Sequence, residues 1–197
     1  MKPYQGTTVY FRLVELSDAE FILNLRLDPK NSVTLSPTDS SLDKQISWMR
    51  EYKTREAKGR EFYYIIHRRD NDLPIGTIRI YDFDIRKSSF CWGSWILNKD
   101  KTISAALESC IFIFDKGFYE LGFYHNHGNI VKTNTKVIRF HKKLGIAIVD
   151  EDERLVYNSY PKQVYEQNRG SLLELVQLSA EIGWSEKYNS RESDLTI

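Results

Sequence analysis

Two cysteines, Cys91 and Cys110, are all that the 197 residues contain. That is too few for a disulfide framework or a four-thiolate zinc site, and both stand among apolar neighbours, as buried thiols do. The longest apolar run, Cys110 to Phe114, is far too short to span a bilayer. The first residues, MKPYQGTTVYFRLVEL, hold no apolar stretch of signal-peptide length. Charge of one sign is missing too: 28 Lys and Arg against 27 Asp and Glu leave a net charge of +1. A chain so balanced has no global electrostatic reason to bind nucleic acid or an anionic membrane. Internal repeats and low-complexity segments are absent. These absences lead to the expectation of a soluble, cytoplasmic protein without nucleic-acid or membrane partners.

What is present is ordinary globular material. Hydrophobic residues make up 41% and charged residues 28%. A chain of this length buries roughly two thirds of its unfolded surface and needs no staple to fold. The pattern reads as a single domain over 1–184, with a core of about 9–160, a helical extension over 161–184 and a polar tail over 185–197. Val9–Val14 reads as a strand. The capping box Ser17–Glu20 opens a helix carrying Phe21, Ile22 and Leu25, which ends at Asp28–Asn31. Pro37 to Ser41 reads as loop, and a second helix as Leu42–Arg55. Phe62–Ile66, Ile75–Tyr81 and Ser89–Leu97 read as an antiparallel meander. The longest helix is expected from Ile103 to Leu121, closed by Gly122. Phe123–Ile130 then reads as strand, Asn134–Leu144 as helix capped by Gly145, and Ile146–Val149 with Leu155–Tyr160 as a hairpin. A capping box at Ser171–Glu174 predicts a last helix to about Ile182, followed by a loose tail. A strand–helix–strand unit in the middle implies one parallel pair inside an otherwise antiparallel sheet.

This order, with the residues between Trp92 and Ile146, resembles the GNAT superfamily of acyl-CoA N-acyltransferases. Trp92-Gly93-Ser94-Trp95-Ile96-Leu97 is similar to the family's fourth strand in its ribosomal-protein and amino-sugar subgroups. Lys101-Thr102-Ile103-Ser104-Ala105-Ala106 stands where the family has Arg/Gln-x-x-Gly-x-Gly/Ala, and Glu108 where that subgroup has a Glu. Asn134 to Ile146, with His141 and Gly145, resembles the family's Asn-x-x-x-x-x-x-(Tyr/His)-x-x-x-Gly-Phe. The resemblance implies an α/β fold: a mixed, mostly antiparallel sheet with one central parallel strand pair flanked by helices, plus a C-terminal helix. It departs from the pattern at Lys101 and at Ser104, where the first loop glycine is usual. Ser104 still offers its amide if its φ is negative, with a hydroxyl besides.

The resemblance also implies roles. Acetyl-CoA is the acyl-donor co-substrate, and no metal is needed. Its pantetheine arm is expected along Trp95, Ile96 and Leu97, where a bulge frees an amide, about that of Ile96 or Leu97, to polarise the thioester. Its pyrophosphate is expected on Lys101, Ser104, Ala105 and Ala106, and further contacts on Asn134, Val137 and Phe140. His141 lies where relatives hold a Tyr that assists the departing thiolate; cofactor packing is the alternative. Arg26 and Trp92 are expected at the acceptor. Read from the residues alone, Asn134 is a natural helix N-cap, and Glu108, near a helix start, reads first as a helix-dipole or structural partner with a catalytic base as the alternative. His125 and His127 share one strand face, but with Asp84 or Glu15 they make too generic a set for a metal. The expected reaction is acetyl transfer to a primary amine of a small molecule. A nucleotide-linked amino deoxysugar of bacterial surface-glycan synthesis leads, with the N-terminal amine of a ribosomal or other protein as the alternative. A non-catalytic acyl-CoA-binding module is the alternative of another class. A monomer or a homodimer is compatible with the sequence.

Overall fold

The computed structural model describes residues 2–32 and 39–193; within the expected loop Pro37–Ser41, residues 37 and 38 lie outside the described residues. Seven strands form one sheet: β1 (Val9–Leu13), β2 (Phe62–Arg68), β3 (Pro74–Asp84), β4 (Ser89–Leu97), β5 (His125–Val131), β6 (Ala147–Glu151) and β7 (Leu155–Pro161). Their order is β1-β2-β3-β4-β5-β7-β6. Every pairing is antiparallel except β4 with β5, as the crossover between them requires.

Period-two alternation fixes which layer each strand face meets. Ile66, Ile78, Ile80 and Phe90 bury against α4 (Ala105–Asp115), which supplies Ile111 and Phe114, and against Tyr165 and Val176 of α6 (Lys162–Ser193). On the opposite face Tyr63 and Ile65 meet Ile22 of α1 (Ala19–Leu27) and Met49 and Tyr52 of α3 (Leu42–Ala57). A one-turn helix, α2 (Pro29–Ser32), follows α1 where the sequence suggested only a break. Beyond Asp115, α4 runs on through a widened turn over Lys116–Glu120, where the Leu121 amide reaches back to the Lys116 carbonyl at 2.9 Å. The remaining helix, α5 (Thr135–Lys143), ends at Gly145, whose φ of +84° is the left-handed value a side chain resists.

The C-terminal helix departs from expectation. It starts at Lys162, directly after β7, not at Ser171, and it extends past Ile182 to Ser193. With 32 residues it, and not the 11-residue α4, is the longest helix. The capping-box pattern at Ser171 therefore lies inside a helix, and Gly170 is helical despite a propensity cost of about 1 kcal/mol. Tertiary burial decides: Tyr165, Leu172, Val176 and Ala180 are all buried, and Arg169 reaches Asp115 of α4.

Candidate functional site

β4 and β5 pair only at Ser89–His125 and Phe90–Asn126 and then separate. Beyond Phe90 the cleft wall is the upper half of β4, and its backbone is irregular. Thr77 of β3 faces Ile96 and Arg79 faces Gly93, so Ser94 and Trp95 have no partner residue on β3. Ser94 takes φ +46°, and its carbonyl accepts the Thr77 hydroxyl at 2.7 Å. This bulge explains why Trp92 and Trp95, an odd spacing apart, both pack on the α4 side of the sheet. The expected bulge thus exists, but its strained residue is Ser94, which the sequence reading did not single out. Gly93 instead makes room, since a Cβ there would stand 3.0 Å from the Tyr81 hydroxyl. Ile96 and Leu97 pair with Thr77 and Gly76, and because the Asn98 amide donates to the Ile75 carbonyl at 2.8 Å, alternation turns the Leu97 amide away from β3, toward the side where β5 has separated.

At the end of this wall the chain turns into α4. Ser104 is the N-cap residue, with φ −87°, so its amide is presented without a glycine. Its hydroxyl, however, donates to Glu108 Oε1 at 2.6 Å and is spent inward. Ala105 is buried; the amides of Ala106 and Leu107, in the first turn of α4, have no acceptor among the described residues. Free amides at a helix start favour an anion. Lys101 stands exposed beside them. Glu108 is fully buried and bonded, which is the structural role.

The opposite wall is α5. Asn134 caps it, its side chain accepting from the Val137 amide at 3.3 Å. Val137, Phe140 and His141 fall at i, i+3 and i+4, on one face. Phe140 stacks on Trp95 at 5.6 Å and His141 lies 5.3 Å from Trp92. Trp92 also meets Phe114 at 5.8 Å. Trp92 therefore belongs to the α4–α5 side, and the expectation that it joins Arg26 at the acceptor wall is not met. Burial pulls the His141 ring down to a pKa of about 4, so it is neutral near pH 7. Both its nitrogens and the Trp95 Nε1 are buried without a partner among the described residues. Buried polar atoms of this kind call for a ligand's polar groups. A pantetheine arm, which carries two amides, fits that demand, and the α4 amides with Lys101 fit a pyrophosphate.

The other face of the sheet holds a second group. Arg26, half-buried near the end of α1, acts with Arg79 on the phenol of Tyr63: burial pushes that phenol up, and the Thr77 hydroxyl, then the two cations, pull the opposite way. Arg79 lies 4.3 Å over the Tyr81 ring and 5.5 Å over Trp48, with Glu61 at 3.3 Å. The sequence reading missed Arg79 and Tyr81. Their signal was the alternation Thr77-x-Arg79-x-Tyr81, opposite to Ile78 and Ile80. His127 pairs with Asp82 at 3.1 Å, across β4, and no group able to hold a metal occurs among the described residues.

Residues 8–147 match the family described as an acetyltransferase (GNAT) domain. Among solved structures, FdhC, described as a nucleotide-linked sugar GNAT, is 44% identical over 86% of this chain and 96% of its own, with a TM-score of 0.80. The spermidine N-acetyltransferase of Vibrio cholerae, solved with CoA and spermine, is 14% identical over 81% of this chain and 99% of its own, with a TM-score of 0.68. At that identity the likeness speaks to the fold alone. A search of curated proteins returned no match. The matched domain covers both cleft walls, the bulged strand and the α4 start, and the chain belongs to the GNAT acetyltransferase family.

Proposed function

We propose that the protein is an acetyl-CoA-dependent N-acetyltransferase acting on the primary amine of a nucleotide-linked amino deoxysugar. The observation that carries the acceptor is the 44% identity to FdhC over 86% of this chain and 96% of that one. The cleft supports the donor. Acetyl-CoA supplies an activated acyl group on a thiol leaving group, and the protein's part is to hold and polarise it. In this reading the α4 amides and Lys101 take the pyrophosphate. Trp95, Ile96 and Leu97 line the arm, with Asn134, Val137 and Phe140 on the facing helix. An amide of the Ser94–Leu97 stretch donates to the thioester oxygen as negative charge builds there. His141, neutral, donates a ring N–H toward the sulfur. Arg26 and Arg79 lie on the acceptor side of the sheet, where a diphosphate's charge is favoured. Holding amine and thioester at the strand fork supplies much of the rate.

The test is an acceptor panel with acetyl-CoA, read as free thiol released. Amino-sugar nucleotides should turn over with the highest kcat/KM. Turnover of a peptide N-terminus without turnover of any amino-sugar nucleotide would transfer the assignment to the protein-acetylating alternative.

A further inference from the structure

Behind the first turn of α4 lies a set of hydroxyls that the proposed reaction leaves without a role. Glu108, with no exposed surface, accepts from the Tyr4 hydroxyl at 2.8 Å, the Thr7 amide at 2.6 Å and the Thr8 amide at 3.1 Å. It also accepts from Thr8 Oγ1 at 2.5 Å and Ser104 Oγ at 2.6 Å. Thr8 Oγ1 lies 2.6 Å from Thr102 Oγ1 and 2.9 Å from Ser104 Oγ. A hydroxyl has one proton to give. Thr8 and Ser104 give theirs to Glu108, so Thr102 donates to Thr8. Both ends of the Thr102–Ser104 segment are therefore tied to one buried carboxyl group, Thr102 through Thr8 and Ser104 directly. The N-terminal strap reaches this point by turning at Gly6, where φ is +91° and a Cβ would stand 2.0 Å from the Val9 carbonyl oxygen. Its start is fixed separately by the Tyr4 amide on Asp115 at 2.8 Å.

We propose that Thr8 and Glu108 are positioning residues for the donor's pyrophosphate. They hold Thr102 and Ser104 from the inner side, which fixes Ser104 at negative φ and keeps its amide and those of Ala106 and Leu107 available outward. A hydroxyl clasp does here what a loop glycine does elsewhere by close approach. A glycine at position 104 would remove one of the donors to Glu108, and a buried carboxyl group short of donors is destabilising. The serine, Glu108 and the strap threonine form one device. The inference rests on reading the 101–106 loop as the pyrophosphate site.

Thr8→Val keeps the side-chain shape and the backbone bonds while removing the hydroxyl. Calorimetry should show CoA binding weakened about tenfold, the worth of one to two lost hydrogen bonds. The preference for acetyl-CoA over S-acetylpantetheine in kcat/KM should fall by a similar factor, because the shorter thioester has no pyrophosphate. Thr8→Ser should restore both. Glu108→Gln, compared by the same two readouts, should move them in the same direction. If Thr8→Val only lowers the melting temperature, with CoA affinity and the thioester preference within about twofold of wild type, the clasp is structural and the inference fails. If the wild-type protein binds S-acetylpantetheine as tightly as acetyl-CoA, the pyrophosphate assignment itself fails, and the inference with it.

Discussion

Removing His141 from water makes its protonated form costly, and two predictions follow from its pKa of about 4. The first concerns catalysis. A ring already neutral at pH 6 to 8 gives kcat no limb in that range, so the imidazole acts as an N–H donor and not as a cation. His141→Ala should lower kcat about 10²-fold, the worth of one preorganised donor, with little change in acetyl-CoA affinity. His141→Tyr should recover much of it. Steady-state kinetics decide: a loss confined to KM would assign His141 to packing against Trp92. The second concerns stability. The folded value lies below the unfolded value of about 6.5, so the stabilisation is complete above that pH and is lost as pH falls toward 4. Denaturant titrations of wild type and His141→Gln at pH 7 and 4.5 should differ in their pH dependence by about 2 kcal/mol, with wild type losing more. Equal losses would contradict the placement of the ring.

Two elements carry more than their own length. In β4 the bulge depends on Ser94 holding φ +46°. Ser94→Gly should stabilise the fold by up to about 1 kcal/mol or leave it unchanged, because glycine adopts that region freely. Ser94→Val should cost at least about 1–2 kcal/mol and, by flattening the bulge, reduce kcat more than binding. Activity retained in a destabilised Ser94→Val protein would separate the bulge from catalysis. In α6 the anchor is Arg169, whose Nε and Nη2 meet the wholly buried Asp115 at 2.9 and 2.6 Å, beside the Tyr165 hydroxyl at 2.6 Å. Arg169→Met leaves that carboxyl group buried without its cation and should cost about 3–5 kcal/mol in chemical denaturation. The more exposed Lys116–Glu120 pair, 2.6 Å apart one turn along, should cost no more than about 1 kcal/mol when broken.

At the scale of the molecule, the order of elements along the chain and the single parallel pair were legible because alternation and helical spacing each pointed to a single layer, whereas the place of β7 between β5 and β6 was not. The C-terminal helix was misread at its start. Gly170 and the Ser171 pattern are local signals, and the burial of Tyr165 and the Arg169–Asp115 pair that override them are contacts about fifty residues apart in sequence. The site divides in the same way. Asn134, Val137, Phe140 and His141 were visible as a helix face, and Lys101 to Ala106 as a loop and helix start. Arg79, Ser94 and Thr8 were not, because a bulge, a cation between two rings and a hydroxyl clasp arise only when distant segments meet. The central claim is that acetyl-CoA occupies the fork between β4 and α5 with its phosphates on α4. Amide hydrogen exchange of the full chain, with and without saturating acetyl-CoA, reads that location directly. Protection confined to residues 94–97, 101–107 and 134–141 is the predicted result. Saturable binding with protection elsewhere, or no protection at millimolar ligand, would contradict the account.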